Sequence, residues 1–219
     1  RAPLHLSWER EFSVPPLAVP NRGMLPTLDQ LNQYDAVRLF AVRAQAVSND
    51  FALTEANAPA VMGICRRLDG LPLAIELATA RIKLFTPQGL LARLDRRLTL
   101  LIGGARDLPA RQQTLRATIE WSYNLLDPCE QALFARLGVF VGGCTLESAE
   151  EVLRTEGRAL SVDSTPSVRS PPPSLLDRLE ALVDKSLLQQ IRGYRDEPRF
   201  LMLETIREYA LEQLATSRE

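Results

Sequence analysis

This sequence of 219 residues contains few of the side chains on which catalysis and metal binding usually depend. It has a single histidine, His5, and three cysteines, Cys65, Cys129 and Cys144, that lie far apart. Cysteines at such separations form neither a zinc motif nor a disulfide framework, and one histidine excludes a metal site built on several imidazoles. The odd, scattered cysteines are typical of a protein kept in a reducing compartment, so we expect a cytoplasmic location.

Lysine is almost as scarce, because Lys83 and Lys185 are the only two among 26 basic residues. Neither follows a glycine, so the phosphate-binding loop G-x-x-x-x-G-K-[ST] is missing. No apolar run approaches the roughly 20 residues of a membrane span. We therefore expect no enzymatic activity from this chain alone, no metal and no membrane contact. The sequence begins at Arg1 without a methionine, and we expect it to be a segment of a longer protein.

The composition that remains is that of a globular protein, with 46% hydrophobic and 24% charged residues. The length suits one large domain or two small ones. The formal net charge is -1. General electrostatic binding of nucleic acid usually needs a strongly basic protein, so the overall charge disfavours that function.

Apolar residues at helical spacing dominate the first half of the chain. After a short extended segment over residues 1–34, the pattern predicts a bundle of four helices between residues 35 and 95. Gly70 ends one of these helices, because glycine accepts the left-handed cap conformation. Pro72 suits the first turn of the next helix, where its missing N–H costs nothing. Glu76 lies in that helix, and we expect it to be a surface carboxylate near Arg81 or Lys83.

The second half predicts a winged helix-turn-helix. A long helix over residues 111–126 precedes a new start at Asp127-Pro128, and Gly142-Gly143 separates two further helices. A polar loop leads to a candidate recognition helix over residues 174–188, which opens with a capping box. A hairpin with strands at 187–191 and 200–203 follows, and then a last helix with Thr205 and Glu208 as its capping box. The predicted fold class is therefore mainly α, with a small β-hairpin.

Several blocks of this sequence resemble one family of signalling proteins. Residues 65–77, which include Gly-Leu-Pro-Leu at 70–73, resemble the GLPL motif of STAND-class (NB-ARC-like) nucleotide-binding switches. The nearest resemblance is to bacterial LuxR-type and antibiotic-regulatory transcriptional regulators. Further blocks follow in the order that this family has, and they lie at residues 1–4, 34–40, 111–116, 121–123 and 199–209.

The resemblance implies a domain organisation and a function. Residues 1–34 would end a nucleotide-binding α/β domain, 35–108 would form a helical lid, and 109–219 a bridging helix with the winged helix. The implied function is a switch that responds to ADP and ATP. The implied partners are an upstream P-loop domain of the same chain and, on activation, further copies of the protein. DNA would be contacted only through other domains.

The resemblance also implies nucleotide-binding residues. Pro72 corresponds to the proline that packs against the base and sugar, with Gly70 and Leu71 beside it. Arg1 corresponds to an arginine that faces the γ-phosphate. Leu203 stands where the family has a histidine that contacts the β-phosphate of ADP, and leucine cannot donate that hydrogen bond.

A winged helix also suggests a second function, direct binding to an operator. The DNA-binding residues would then be Arg178, Lys185, Arg192 and Arg195. Phosphate attraction supplies most of the non-specific affinity for DNA. The candidate recognition helix carries Asp177, Glu180 and Asp184 against its two cations, so an acidic helix would have to enter the duplex. We expect the hairpin to be a solvated wing, with its arginine side chains facing water.

Overall fold

The computed structural model describes residues 8–10, 12, 14–21, 26–94, 97–102, 109, 112–159, 174–193 and 197–217. The chain divides into two compact units. We call residues 12–120 the helical unit, and residues 1–11 together with 121–219 the hairpin unit. Each is described separately below.

The helical unit is built from short helices joined by tight turns. Its elements are α1 (Leu28–Leu31), α2 (Asp35–Val47), α3 (Ala58–Arg67), α4 (Pro72–Thr79), a 3₁₀ helix (Ala80–Lys83), α5 (Pro87–Leu91) and α6 (Arg97–Leu100). Helix α7 (Leu115–Tyr123) contains the boundary between the two units.

Local capping explains where several of these helices begin. The Thr27 hydroxyl and the Gln30 side chain form a capping box at α1. The Thr86 hydroxyl accepts a hydrogen bond from the Gly89 amide at the start of α5, directly before Pro87. Each contact satisfies an amide that the helix itself leaves without a partner.

The core of the helical unit lies where α2 packs on α4 and α3 packs on α5. Phe40 of α2 is fully buried, and its ring meets Phe51 edge to face at 6.0 Å between centroids. The other large side chains of this unit that are no more than 2% exposed are Leu31, Ile64, Leu68, Ile75, Leu77, Leu90, Leu94, Leu98 and Leu101. One apolar core therefore holds these short helices together.

The hairpin unit contains the predicted second group of elements. These are α8 (Pro128–Leu137), α9 (Leu146–Ala159), α10 (Leu175–Asp184), β1 (Gln189–Arg192), β2 (Pro198–Leu201) and α11 (Glu204–Thr216). Strands β1 and β2 are antiparallel, with Gln189 opposite Leu201. Cys144 exchanges two backbone hydrogen bonds of 2.9 Å with Phe200, so it adds a one-residue bridge at the free edge of β2. This order is compatible with a winged helix.

An aromatic cluster fills the interior of the hairpin unit. The ring of Tyr123 lies 5.5 Å from those of both Phe134 and Tyr209, and the last two are 6.4 Å apart. Phe134 of α8 and Tyr209 of α11 are buried. Helices α8 and α11 therefore pack against each other around these rings.

The structure confirms the mainly helical fold with a small hairpin and corrects several bounds. The helix predicted over 111–126 covers only Leu115–Tyr123, because the Thr114 hydroxyl caps its first turn through the Ala117 amide. The helix predicted over 174–188 ends at Asp184, where Ser186 takes a left-handed φ of 58°. The two strands occupy 189–192 and 198–201 rather than 187–191 and 200–203.

The capping box predicted for the last helix is wrong. Leu203, rather than Thr205, is the N-cap of α11, and the cap has no side-chain hydrogen bond. Thr205 lies inside the first turn and is fully buried. Burial of that side chain in the core places the helix start two residues earlier than the capping pattern predicted.

Candidate functional site

The Gly70–Pro72 turn joins α3 to α4 through a Schellman motif. The Gly70 amide donates to the Cys65 carbonyl at 3.0 Å, and the Asp69 amide donates to that of Arg66 at 3.1 Å. Asp69 occupies the left-handed cap position with a φ of 54°, and Gly70 follows with a φ of 65°. Two consecutive left-handed residues therefore reverse the chain, where the sequence predicted one.

The turn leaves Pro72 exposed at the start of α4. Leu71, the N-cap of this helix, is half-buried and makes no side-chain capping bond. The Leu71 side chain thus offers the first-turn amides of α4 no acceptor, and the positive end of the helix lies beside an exposed proline ring. This exposed proline is the residue that the resemblance assigns to the base and sugar of a nucleotide.

Leu203 does not fit the phosphate contact that its position implies. Its side chain is half-buried and apolar, and its carbonyl accepts the amides of Ile206 and Arg207 within the start of α11. The neighbouring Arg207 is held by Glu204 at 3.0 Å and by the Gly138 carbonyl at 3.4 Å. Leu203 lies in the hairpin unit, and Gly70, Leu71 and Pro72 lie in the helical unit.

Two of the candidate residues lie outside the described part of the chain. They are Arg1, expected at the γ-phosphate, and Arg195, a candidate DNA contact.

The outward face of α10 is acidic. Leu176, Asp177 and Glu180 are exposed, and their spacing places them on one side of the helix. The backbone amide and then the side chain of Ser174 hydrogen-bond Asp177 and lower the pKa of its carboxyl group. Asp177 therefore stays charged throughout the neutral range. A recognition helix with this face would repel the phosphates that flank a DNA groove.

The cations of α10 do not compensate for this face. The ammonium group of Lys185 lies 3.3 Å from the Glu130 carboxylate, and the two side chains are only 18% and 13% exposed. Arg178 is half-buried, and its helical spacing places it away from Asp177 and Glu180. Arg192 in β1 is exposed. Of the four candidate DNA contacts, the described structure therefore leaves Arg192 freely accessible.

The side chain of Arg199, the remaining hairpin arginine, is used for contacts within the hairpin unit. Its guanidinium donates to the carbonyl oxygens of Gly143 at 2.9 Å and Gly142 at 3.4 Å. These glycines form the turn before Cys144, and both have positive φ. Arg199 thus ties β2 to that turn.

The buried thiols are poor nucleophiles. Burial raises the pKa of Cys65 to about 12 and also raises that of Cys144. The thiolate is the reactive form of cysteine, so both side chains stay protonated and inert near neutral pH. Cys129 is exposed at the start of α8.

The described residues hold neither a cluster of metal ligands nor a membrane-spanning helix. Among these residues no group of three or more His, Cys, Asp or Glu side chains is placed to bind a metal ion. In the same part of the chain no helix has both the length and the apolar character needed to cross a bilayer.

The sequence assigned the wrong partner to Glu76. The carboxylate accepts two hydrogen bonds from Arg43 of α2, at 2.8 and 3.1 Å. Arg81, one of the expected partners, instead donates to the carbonyls of Leu100 and Ile102. Arg43 lies 33 residues from Glu76, and no local pattern in the sequence pointed to it.

Comparisons with known proteins give relatives much longer than this chain. No protein-family model matches it. It is 41% identical over 219 residues to a protein of Mycobacterium tuberculosis that carries the provisional name HTH-type transcriptional regulator, and equally similar to a protein of that name from Mycobacterium bovis. The match covers all of this chain and 22% of each relative.

A second relative has no functional name. It is an uncharacterized protein of M. tuberculosis, 37% identical over 214 residues, which are 98% of this chain and 48% of the relative. The chain therefore spans less than half the length of each of these relatives.

Proposed function

We propose that this chain is a regulatory segment of a bacterial transcriptional regulator, in which the Gly70–Pro72 turn contacts a nucleotide and the hairpin unit does not read DNA. The role in transcription is supported by the name of the M. tuberculosis relative, which is 41% identical over the whole chain. That name concerns a protein of which this chain matches 22%, so it leaves open which segment holds the DNA-binding element.

The observation that carries the proposal is the charge distribution of α10. Its exposed side chains are those of Leu176, Asp177 and Glu180, and its lysine is engaged by Glu130. Specific DNA readers place donors and cations on this helix to meet phosphates and base edges. A winged helix whose exposed side chains on this helix are apolar or acidic is better suited to packing within a larger protein than to entering a major groove.

Nucleotide contact is supported by the surface around Pro72. The proline ring is exposed beside a helix start without a side-chain cap, and both features suit an ADP or ATP molecule. The GLPL resemblance assigns the base to this same residue. Phosphate binding would fall to the P-loop domain that the resemblance expects upstream, because Leu203 offers no donor.

Direct DNA binding is the second candidate function. The names of the relatives favour it, because they refer to a helix-turn-helix regulator and the match includes this hairpin unit. Arg192 on the exposed strand β1 would then be the principal phosphate contact.

A titration with DNA separates the two functions. We expect this chain to bind mixed-sequence duplexes no more tightly than about 10⁻⁴–10⁻⁶ M at physiological salt, the range of non-specific association, as followed by fluorescence anisotropy. Tight binding to a selected duplex that is lost in Arg192→Ala and retained in Arg154→Ala would instead establish the DNA reader.

The nucleotide contact is tested in the full-length protein by calorimetric titration with ADP. We expect Pro72→Ala to weaken binding, because it removes the apolar ring against the base. ADP affinity that is the same in Pro72→Ala and in the wild type would show that the Gly70–Pro72 turn does not meet the nucleotide.

A further inference from the structure

A proline-rich segment crosses the end of the helical unit at which Pro72 is exposed. We call residues 14–20 the strap. The strap has no regular secondary structure and contains Pro15, Pro16 and Pro20. Proline fixes φ and supplies no N–H, so the strap is stiff and has few donors for holding itself in place.

Two backbone hydrogen bonds attach the strap to the rest of the unit. The Leu17 amide donates to the Gly70 carbonyl at 3.0 Å. The Ala18 carbonyl accepts from the Ala36 amide, in the first turn of α2, at 3.4 Å. The strap therefore links the start of α2 to the turn that precedes α4.

The strap also lies directly against the Cα atom of Gly70. A Cβ atom built on Gly70 would overlap the Leu17 carbonyl oxygen and lie 3.3 Å from the Leu17 nitrogen. Glycine is therefore required here both for its positive φ and for this close approach.

The peptide between Gly70 and Leu71 is held from both ends. Its carbonyl accepts the Leu17 amide, and its N–H donates to the Leu68 carbonyl at 2.9 Å. Glycine permits many backbone conformations, so the peptide that follows it needs outside partners to keep one orientation. The strap supplies one of these partners, and Pro72 is the next residue after this peptide.

We propose that Leu17 is a positioning residue for Pro72: the strap fixes the Gly70–Leu71 peptide, and displacement of the strap releases the turn and moves the proline from its nucleotide-contacting position. This inference rests on the proposed nucleotide contact of Pro72. If the inference holds, a rearrangement upstream of α1 would alter nucleotide affinity by displacing the strap.

Two variants disturb the contact in different ways. Leu17→Pro removes the N–H donor and places the proline Cδ atom against the Gly70 carbonyl oxygen, and it follows a residue that is already proline. Gly70→Ala keeps the donor and forces the strap away. Gly142→Ala is the matched control, because Gly142 also has a positive φ, of 79°, but no atom lies within 4 Å of the added carbon.

Hydrogen exchange and ADP titration of the full-length protein are the two measurements. We expect both strap variants to speed exchange of the Leu71 amide by about tenfold or more, because loss of one partner frees the peptide. We also expect ADP to bind about tenfold more weakly, which is within the usual range of coupling between sites. Gly142→Ala should change neither quantity.

The other outcomes distinguish failure of the positioning role of Leu17 from failure of the proposed nucleotide contact of Pro72. Unchanged exchange in both strap variants overturns the positioning role. Faster exchange with unchanged ADP affinity also overturns it, provided that Pro72→Ala weakens binding, and the nucleotide contact itself then stands. If Pro72→Ala has no effect either, the nucleotide contact is wrong and the positioning role is wrong with it.

Discussion

One carboxylate oxygen of Glu130 serves both the start of α8 and the end of α10. It accepts the Asp127 amide at 2.9 Å, as part of the capping box of α8, and it lies 3.3 Å from the ammonium group of Lys185. Lys185 is the C-cap residue of α10. This ion pair joins two helices of the hairpin unit and removes from the surface a cation that the sequence offered for DNA.

Loss of this ion pair should destabilise the hairpin unit. We expect Lys185→Met, which keeps the aliphatic chain and removes the charge, to cost about 1–3 kcal/mol, because it leaves a largely buried carboxylate without its cation. Arg154→Met is the control, since the Arg154–Glu151 pair is about 70% exposed on both sides. It should change the free energy of unfolding by less than about 0.5 kcal/mol. Equal effects of the two substitutions in urea denaturation would contradict the buried contact.

The two glycines before Cys144 should respond differently to alanine. Both have positive φ, so either substitution carries a left-handed backbone penalty of about 1–2 kcal/mol. A Cβ on Gly142 meets nothing within 4 Å, whereas one on Gly143 would lie 2.7 Å from the Phe200 carbonyl oxygen. We expect Gly143→Ala to cost at least about 1 kcal/mol more than Gly142→Ala in equilibrium unfolding. The reverse order would show that Cys144 does not pair closely with β2.

The three cysteines should react with a thiol reagent at very different rates. At pH 8 the exposed Cys129 should react quickly in the folded protein, since the reagent reaches this thiol without unfolding. Cys65, whose pKa is raised to about 12, and Cys144, whose pKa is also raised, should react only after denaturant is added. Mass spectrometry should therefore find one fast modification, absent in Cys129→Ser. A fast modification that remains in Cys129→Ser would mean that Cys65 or Cys144 is accessible in the folded protein.

The capping box of α10 should give the hairpin unit an acid-sensitive contribution to stability. Hydrogen bonds from Ser174 lower the pKa of Asp177 below its ordinary value of 3.8. A lowered folded-state pKa stabilises the fold above the unfolded-state value, and that contribution disappears as pH falls through the folded-state value.

The matching experiment compares Asp177→Asn with the wild type at pH 6 and near pH 3. The stability difference between them should be larger at pH 6 and shrink at the lower pH. A difference for Asp177→Asn that does not depend on pH would exclude the charged cap.

Local patterns in the sequence predicted the helix starts well. Asp127 and Ser174 begin helices as expected, because each side chain bonds an amide only three residues away. The glycine and proline of the Gly70–Pro72 turn likewise indicated a tight junction between two helices. The acidic character of α10 followed from the sequence too, since side-chain charge is fixed by residue type.

Tertiary packing decided the remaining features. Burial of Thr205 in the core moved the start of α11 to Leu203, against the local capping pattern. Lys185 and Glu130 are 55 residues apart, so no spacing rule could pair them. The strap meets Gly70 only because folding brings a proline-rich segment against a distant turn. Helix caps could be predicted because the bonded residues are neighbours in the chain. The exposure of Pro72 and the position of the strap could not, because they depend on which helix faces pack into the apolar core.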